Sequence, residues 1–519
     1  EINAADINIT AENQNSFSTT ALAMSPKDAK AGVAAAVFEG NTDTKASYAG
    51  TFVTGEDLNN EKLNSLNIKS VNNNIKNSTA AVTAALSEDD ETSSAIKNGS
   101  SGLDTVRNKL AGSSDMDSKS GAGHMRLAGA VSFAESNQNA ESFVGDSTEI
   151  EAENITISSE VSNQAVENRA ISTVTSTAPK KDEPEEGGST TTSLSAALSY
   201  GDYNQQAEAY TGINSVLKAD KIYINSSIEK HYTSNWTDWN SLSGIINNIS
   251  NIISADKGGY FSSYTNSTGS AENVNLAGSL SYLDFDNNSL AYTGRGTQIY
   301  GPELNINAAN IISGIYFSGN LDGFKAGTTG GSKPAAGTYN QINYNNNTQA
   351  YILEGTSVRK YEEKEDTAFD PMISVTAENS SNLIAISPTA GKGSTWGFNG
   401  TFSLGKINNT TEASISNRSE INAGEVNLNS HDKINSWSLS GAFNKSENAG
   451  VGAGLAFNEV KTETNSYIGD NSSLIDDKVY TVQSGDTLSE IAEKYNTSVD
   501  ILKEVNSIDD ADHIVEGQE

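Results

Sequence analysis

The sequence predicts a mainly-β protein: a parallel β-helix, or solenoid, followed by a small α+β module. Three observations predict it. Proline is only 7 of 519 residues, and a residue that cannot donate to a β ladder is avoided by a long sheet-built chain. One apolar phrase recurs along the chain with constant internal spacing. From Val479 onward the texture changes to a more charged stretch of helical period.

The recurring phrase is an apolar residue, alanine two residues on, an apolar β-former three further, and another apolar residue after that. It occurs as Ile2-Ala4-Ile7-Ile9, Ile150-Ala152-Ile155-Ile157, Leu217-Ala219-Ile222-Ile224 and Ile421-Ala423-Val426-Leu428. A weaker copy is read at Ile306-Ala308-Ile311, with Ser313 in the last position. Alternation with period two puts the apolar side chains on one face. The two polar residues between the halves let the chain turn a corner, and alanine fits where the interior is narrow.

A second phrase precedes most copies: a small-residue alternating run, an Asn-rich break, then Ala-aromatic and often glycine. Ala196–Tyr200 leads in this way to Ala209-Tyr210-Thr211-Gly212, and Gly278–Tyr282 to Ala291-Tyr292-Thr293-Gly294. The breaks hold Asn287-Asn288, Asn345-Asn346-Asn347 and Asn408-Asn409. Asparagine tolerates the left-handed region, so these breaks are expected to be tight corners. The anchors Gly145, Gly212 and Gly294 lie 212 − 145 = 67 and 294 − 212 = 82 residues apart. That exceeds an ordinary solenoid coil, so each unit is expected to supply several coils. Stacked repeats share one continuous core. A β-sandwich array with one domain per unit, and disorder, are the alternatives the pattern leaves open.

Insertions are expected near residues 55–115, 178–190, 228–270, 320–335 and 355–371. The charged, turn-rich run Lys180–Ser189 reads as an exposed loop. Leu242, Ile245, Ile246, Ile249, Ile252 and Ile253 fall at helical spacing after Trp236 and Trp239 and read as one amphipathic helix on the outside of the solenoid. Asp57–Leu110 reads as polar and partly helical.

The Ala-Tyr-x-Gly phrase followed by the coil phrase resembles the repeats of filamentous-haemagglutinin and leukotoxin-type bacterial adhesins, over roughly residues 1–475. The resemblance implies a right-handed parallel β-helix, export by a type V route and a place on the bacterial cell surface. It implies adhesion to a host-surface receptor and does not say which one.

In the last segment, Tyr480 and Val482 alternate as a short strand and Gly485 allows a sharp turn. Thr487 and Glu490 have capping-box spacing and start a helix. Leu488, Ile491, Ala492 and Tyr495 form its apolar stripe. Asn496-Thr497-Ser498 breaks the chain, Val499, Leu502 and Val505 line a second helix, and Asn506 stands at its C-cap. Ile514-Val515 begins a second strand. This β-α-α-β order, with the Tyr-Thr-Val-x-x-Gly-Asp-Thr-Leu opening and the Ile-x-x-Gly-Gln close, resembles a LysM domain at 479–519. The resemblance implies binding of N-acetylglucosamine polymers, peptidoglycan or chitin, in a shallow groove. Carried over residue by residue, the groove loops are Ser484, Gly485, Asp486, Thr487 and Leu488, then Asn506, Ser507 and Ile508. Gly485 also serves the turn, Asp486 and Thr487 also serve as caps, and Leu488 and Ile508 also serve the core. The family's last strand runs a few residues past Gly-Gln, where this sequence stops, so the module reads as truncated. The chain begins at Glu1 and reads as a piece of a longer protein.

With 33 basic and 66 acidic residues the net charge is −33. Such a chain repels nucleic acid and anionic membrane, so neither is expected as a partner. No apolar run reaches the roughly 18 residues of a membrane span. Zero cysteines exclude disulfides and thiolate metal sites. His124, His231, His431 and His513 have no metal-ligand spacing. No metal, other cofactor or catalytic residue is expected, and acidic residues are spread over every repeat as on a solvated face. The reading is a non-catalytic, extracellular adhesin or stalk. The rival is a fragment of a wall hydrolase or β-helical polysaccharide lyase carrying a LysM targeting module.

Overall fold

The structure is a computed structural model that describes residues 6–25, 31–49, 63–85, 125–163, 166–174, 192–230, 261–271, 273–322, 325–326, 328–329, 333–360, 371–470, 472–475, 480–483, 485–494, 499, 503, 508, 514–515 and 517–518. The chain runs back and forth between two large sheets, of seven and fourteen strands, whose ladders are parallel throughout. The seven-stranded sheet is built from strands such as Met125–Val144, Thr192–Thr211, Val274–Thr293 and Trp396–Ile415, each 20 residues long. The other sheet takes the return passes, for example Glu149–Asn163 with Val166–Val174, and Met372–Gly393. This is the mainly-β solenoid the phrases predict.

The coil is larger than expected. Met125 pairs with Thr192 and Thr192 with Val274, the same 67- and 82-residue spacings seen between the glycine anchors. Each unit is therefore one coil, not several. The reason is strand length: two passes of about twenty residues plus corners fill even the shortest coil, where Phe398 pairs with Val451 only 451 − 398 = 53 residues on. The Asn-rich breaks are not corners either. Asn287, Asn346 and Asn409 sit mid-strand, point inward and are buried. Asn287 Nδ2 donates to Asn346 Oδ1 at 2.7 Å, and Asn346 Nδ2 to Asn409 Oδ1 at 2.9 Å. Asn409 Nδ2 then donates to Asp432 Oδ1 at 2.9 Å. A buried amide keeps its partners only when the coils are in register, so this ladder fixes stacking order as well as holding it.

The left-handed residues lie elsewhere, one per coil at one corner: Ser147, Asn214, Gly296, Gly355 and Arg418. At three of these corners the residue after it caps the turn. Ser215 Oγ donates to Gly212 O at 2.9 Å, Thr297 Oγ1 to Gly294 O at 2.8 Å, and Ser419 Oγ to Ser416 O at 2.9 Å. Coils approach so closely here that a Cβ on Gly294 would lie 2.3 Å from Gly212 O, which is why glycine anchors the phrase.

The interior is banded across its width. Beside that corner, Ile150, Ala152, Ile155 and Ile157 of each coil phrase form one apolar band. A hydroxyl and amide band follows, for example Ser142 Oγ donating to Ser70 Oγ at 2.9 Å. An aromatic band holds Tyr203, Phe285, Tyr316 and Tyr344. A chain with 35% hydrophobic residues can thus build a continuous core, because many of its inward positions hold small polar side chains, a number of them hydrogen-bonded to a neighbouring coil.

Three sequence readings change. Leu63–Ala85 is a strand within the segment read as partly helical. Its Leu66 and Ile68 stack on Ile155 and Ile157, and inward Ser70, Asn72 and Asn74 hide the period. The weak copy at Ile306 is out of phase: Ile299 pairs with Leu217, and Leu304 and Ile306 with Ile222 and Ile224. Ile311 is not buried, and Ile312 points inward instead. A further copy runs Val358, Ile373, Val375, its halves 373 − 358 = 15 residues apart instead of five. Parts of the expected insertions are core strand, as in Ser263–Ser270 and Ser357–Arg359. The helix read at 242–253 and the loop 180–189 lie outside the described residues. No helix among the described residues is long and apolar enough to cross a membrane.

Strand pairing continues through Ser473–Ile475, where Leu474 lies on Ile421. By that register Asp476 takes the place that Ala423 holds in the preceding coil phrase, where a carboxylate would break the pattern; it lies outside the described residues. The last long strand, Ala449–Ile468, is exposed along nearly its whole length.

Candidate functional site

The C-terminal module is organised by its loop before the helix. Helix Leu488–Lys494 starts where the sequence places its cap. Glu490 N donates to Thr487 Oγ1 at 3.2 Å, and Thr487 N to Glu490 Oε2 at 3.2 Å, a reciprocal capping box. Leu488, Ile491 and Ala492 turn one face inward and are buried with Val482. Val482 N donates to Gln518 O at 2.8 Å and Gly517 N to Val482 O at 2.9 Å, so the opening and closing segments pair across the module.

Asp486 does other work than the helix cap expected of it. Its Oδ2 accepts from Gln483 N at 2.8 Å and from the Tyr480 hydroxyl at 2.6 Å. Asp486 N returns a bond to Gln483 O at 3.1 Å. The carboxylate thus pins the loop to the strand that precedes it. Gly485, at φ 98°, forms the tip, and a Cβ built there would meet nothing within 4 Å. Its backbone is open to an approaching ligand.

Of the groove residues carried over from the sequence, Gly485 and Thr487 are exposed and Asp486 is half-buried beside them. Leu488 is 5% exposed and belongs to the small core. Ile508 is half-buried, and its N–H donates to Lys503 O at 2.9 Å. Ser484, Asn506 and Ser507 lie outside the described residues. The sequence reading missed Tyr480 and Gln483, which hold Asp486; the signal was a tyrosine six residues before an aspartate across a glycine turn. Among the described residues no group of three or more His, Asp or Glu side chains is placed to hold a metal ion.

Two substitutions separate fold from contact. Gly485→Val forces a branched residue into the left-handed region and is expected to cost the module about 1–3 kcal/mol, with loss of glycan retention. Thr487→Ala removes the cap at about 1 kcal/mol and leaves the backbone at the tip in place. Retention on insoluble glycan at a temperature where both variants are folded checks this. Equal loss in both would contradict it.

No curated protein and no solved structure matches the chain. The model of the LysM domain family matches residues 480–519, so the chain carries a LysM domain behind its solenoid.

Proposed function

We propose that this chain is a non-catalytic segment of a bacterial cell-surface adhesin or stalk. In this reading its LysM domain holds a rigid rod on N-acetylglucosamine-containing polymers of the wall, peptidoglycan or chitin-type glycan. The carrying observation is the LysM match at 480–519 directly behind a stacked solenoid. The reading places the chain outside the cell, with the adhesin-like repeats presenting the rod to a host-surface receptor. Its acidic side chains support a structural role. Glu141 pairs with Lys45 at 2.9 Å and accepts from Tyr210 at 2.7 Å. Glu208 accepts from Tyr292 at 2.6 Å, and Glu412 from Tyr467 at 2.9 Å. These carboxylates tie neighbouring coils together along the outer surface.

A single shallow site with few aromatic walls binds weakly, so retention grows with several modules on one polymer. The chain is expected to sediment with insoluble peptidoglycan or chitin and to lose that property when 479–519 are deleted. Wall suspensions should keep their turbidity in its presence. Failure of the intact chain to bind either polymer would defeat the tethering role. A steady fall in turbidity would defeat the non-catalytic one.

A further inference from the structure

The outer surface of the seven-stranded sheet is divided in two. Along one half it carries charged and amide side chains. Along the other, four successive outward columns hold apolar or glycine residues on almost every strand. One column is a trough: Gly129, Ala196, Gly278, Gly337 and Gly400 stand in register on consecutive strands. A Cβ at Gly278, Gly337 or Gly400 would meet nothing within 4 Å. The next column is a ridge in the same register: Val131, Leu198, Leu280, Tyr339 and Phe402. On the trough's other side stand Leu127, Leu194, Leu276, Ala335 and Phe398, with Phe398 61% exposed and Leu276 39%.

Seven strands about 4.8 Å apart and four columns about 6.7 Å apart make a flat face on the order of 900 Å². Soluble monomers rarely expose an apolar patch above a few hundred Å², and a stable dimer buries about 800 Å² per partner. The rings there stack on one another, Phe133 on Tyr200 at 4.9 Å and Tyr339 on Phe402 at 5.2 Å. They turn edges to solvent, whereas a sugar stacks on ring faces. An anionic membrane is repelled by a chain of net charge −33, whereas the four columns themselves carry no charged side chain, so the repulsion between two copies falls outside a contact made through this face.

We infer that this face is an interface between two copies of the chain. A trough beside a ridge of equal length is complementary to itself under a two-fold rotation. With the axis along the solenoid and between the two columns, the ridge of each copy enters the trough of the other, and Leu280 of one lies over Gly278 of its partner. The rods then run side by side and parallel, an isologous contact that closes at two.

Analytical ultracentrifugation of the full chain at micromolar concentration tests it. The expected species has twice the 54.7 kDa of one chain. Gly337→Glu and Leu280→Glu each place a charge in the contact and should leave monomers with unchanged circular dichroism. Asn288→Asp, on the charged half of the same sheet, should leave the dimer intact. A monomer at all concentrations would overturn the inference, as would a dimer that survives both glutamate variants. Open-ended chains that survive them would point instead to pairing of the exposed end strands and would overturn it too.

Discussion

Ile155→Asp is expected to lower the stability of the coils around it by about 4 kcal/mol or more. Ile155 has no exposed surface and stacks between Leu66 and Ile222. Its neighbours in the band are aliphatic. A carboxylate there would be buried without a partner, and an uncompensated buried charge costs several kcal/mol. Because each coil contacts mainly its neighbours, the damage is local. The substitution should split thermal unfolding into an early transition of the coils on its N-terminal side and a later one of the rest. Proteolysis near residue 155 should accompany the first. Ile155→Val keeps the shape and serves as the control. Equal midpoints for the two variants would contradict the placement of this residue.

Lys230→Met is expected to act in the opposite direction and to raise stability. Lys230 is buried in the aromatic band. Its Nζ donates to the Tyr316 hydroxyl at 2.8 Å and lies 3.8 Å from the centre of the Phe285 ring. Tyr316 in turn shares a hydrogen bond of 2.8 Å with the Tyr344 hydroxyl. Among the described residues no carboxylate meets the amine. Burial pushes the Lys230 amine well below its ordinary pKa. It also raises the Tyr316 phenol, which therefore stays protonated and supplies no counter-charge. Between the lowered folded value and about 10.4 the unfolded chain binds a proton that the folded chain does not. The contribution of Lys230 to stability therefore rises with pH across that window and falls as pH is lowered through it. Methionine has similar volume and no charge, and Tyr316 keeps its bond to Tyr344. The gain at neutral pH should be roughly 1–4 kcal/mol. Urea unfolding of both proteins between pH 7 and 10 checks the sign. The advantage of the variant over the native chain should shrink as pH rises from 7 toward 10. Destabilisation at pH 7 would show that the ammonium is favourably held by the rings.

Much of this architecture was legible in the sequence because the apolar band beside the corner is carried by isoleucine, leucine and valine at constant spacing. Ile150, Ala152, Ile155 and Ile157 all point inward as that spacing requires. The capping box at Thr487 and Glu490 was legible for the same reason: a local bond has a local signature. What was not legible is what the next coil decides. Asparagine mid-strand looks like a turn residue until another asparagine stacks above it, as Asn346 does on Asn287. Leu63–Ala85 looked helical and polar because its inward positions hold serine and asparagine, of which Ser70 and Asn72 bond to the next coil. Val358 and Ile373 belong to one phrase that an insertion pulls apart. Asp486 looked like a cap because its partner Tyr480 is reached only by folding the loop.

Each repeat unit is one coil, so the first and last long strands of the seven-stranded sheet lie six strand spacings apart. Asp43 and Glu463 stand in the same outward column on its first and last long strands, linked through Asn139, Gln206, Asn288, Asn347 and Thr410. The chain has no cysteine, so Asp43→Cys with Glu463→Cys gives two unique spin-label sites 463 − 43 = 420 residues apart. Six strand spacings of about 4.8 Å put them near 29 Å. A pulsed electron paramagnetic resonance distance centred near that value, within the reach of the label arms, is the result predicted. A distance of roughly 60 Å or more, which two or more coils per unit would produce at the same spacing, would contradict it.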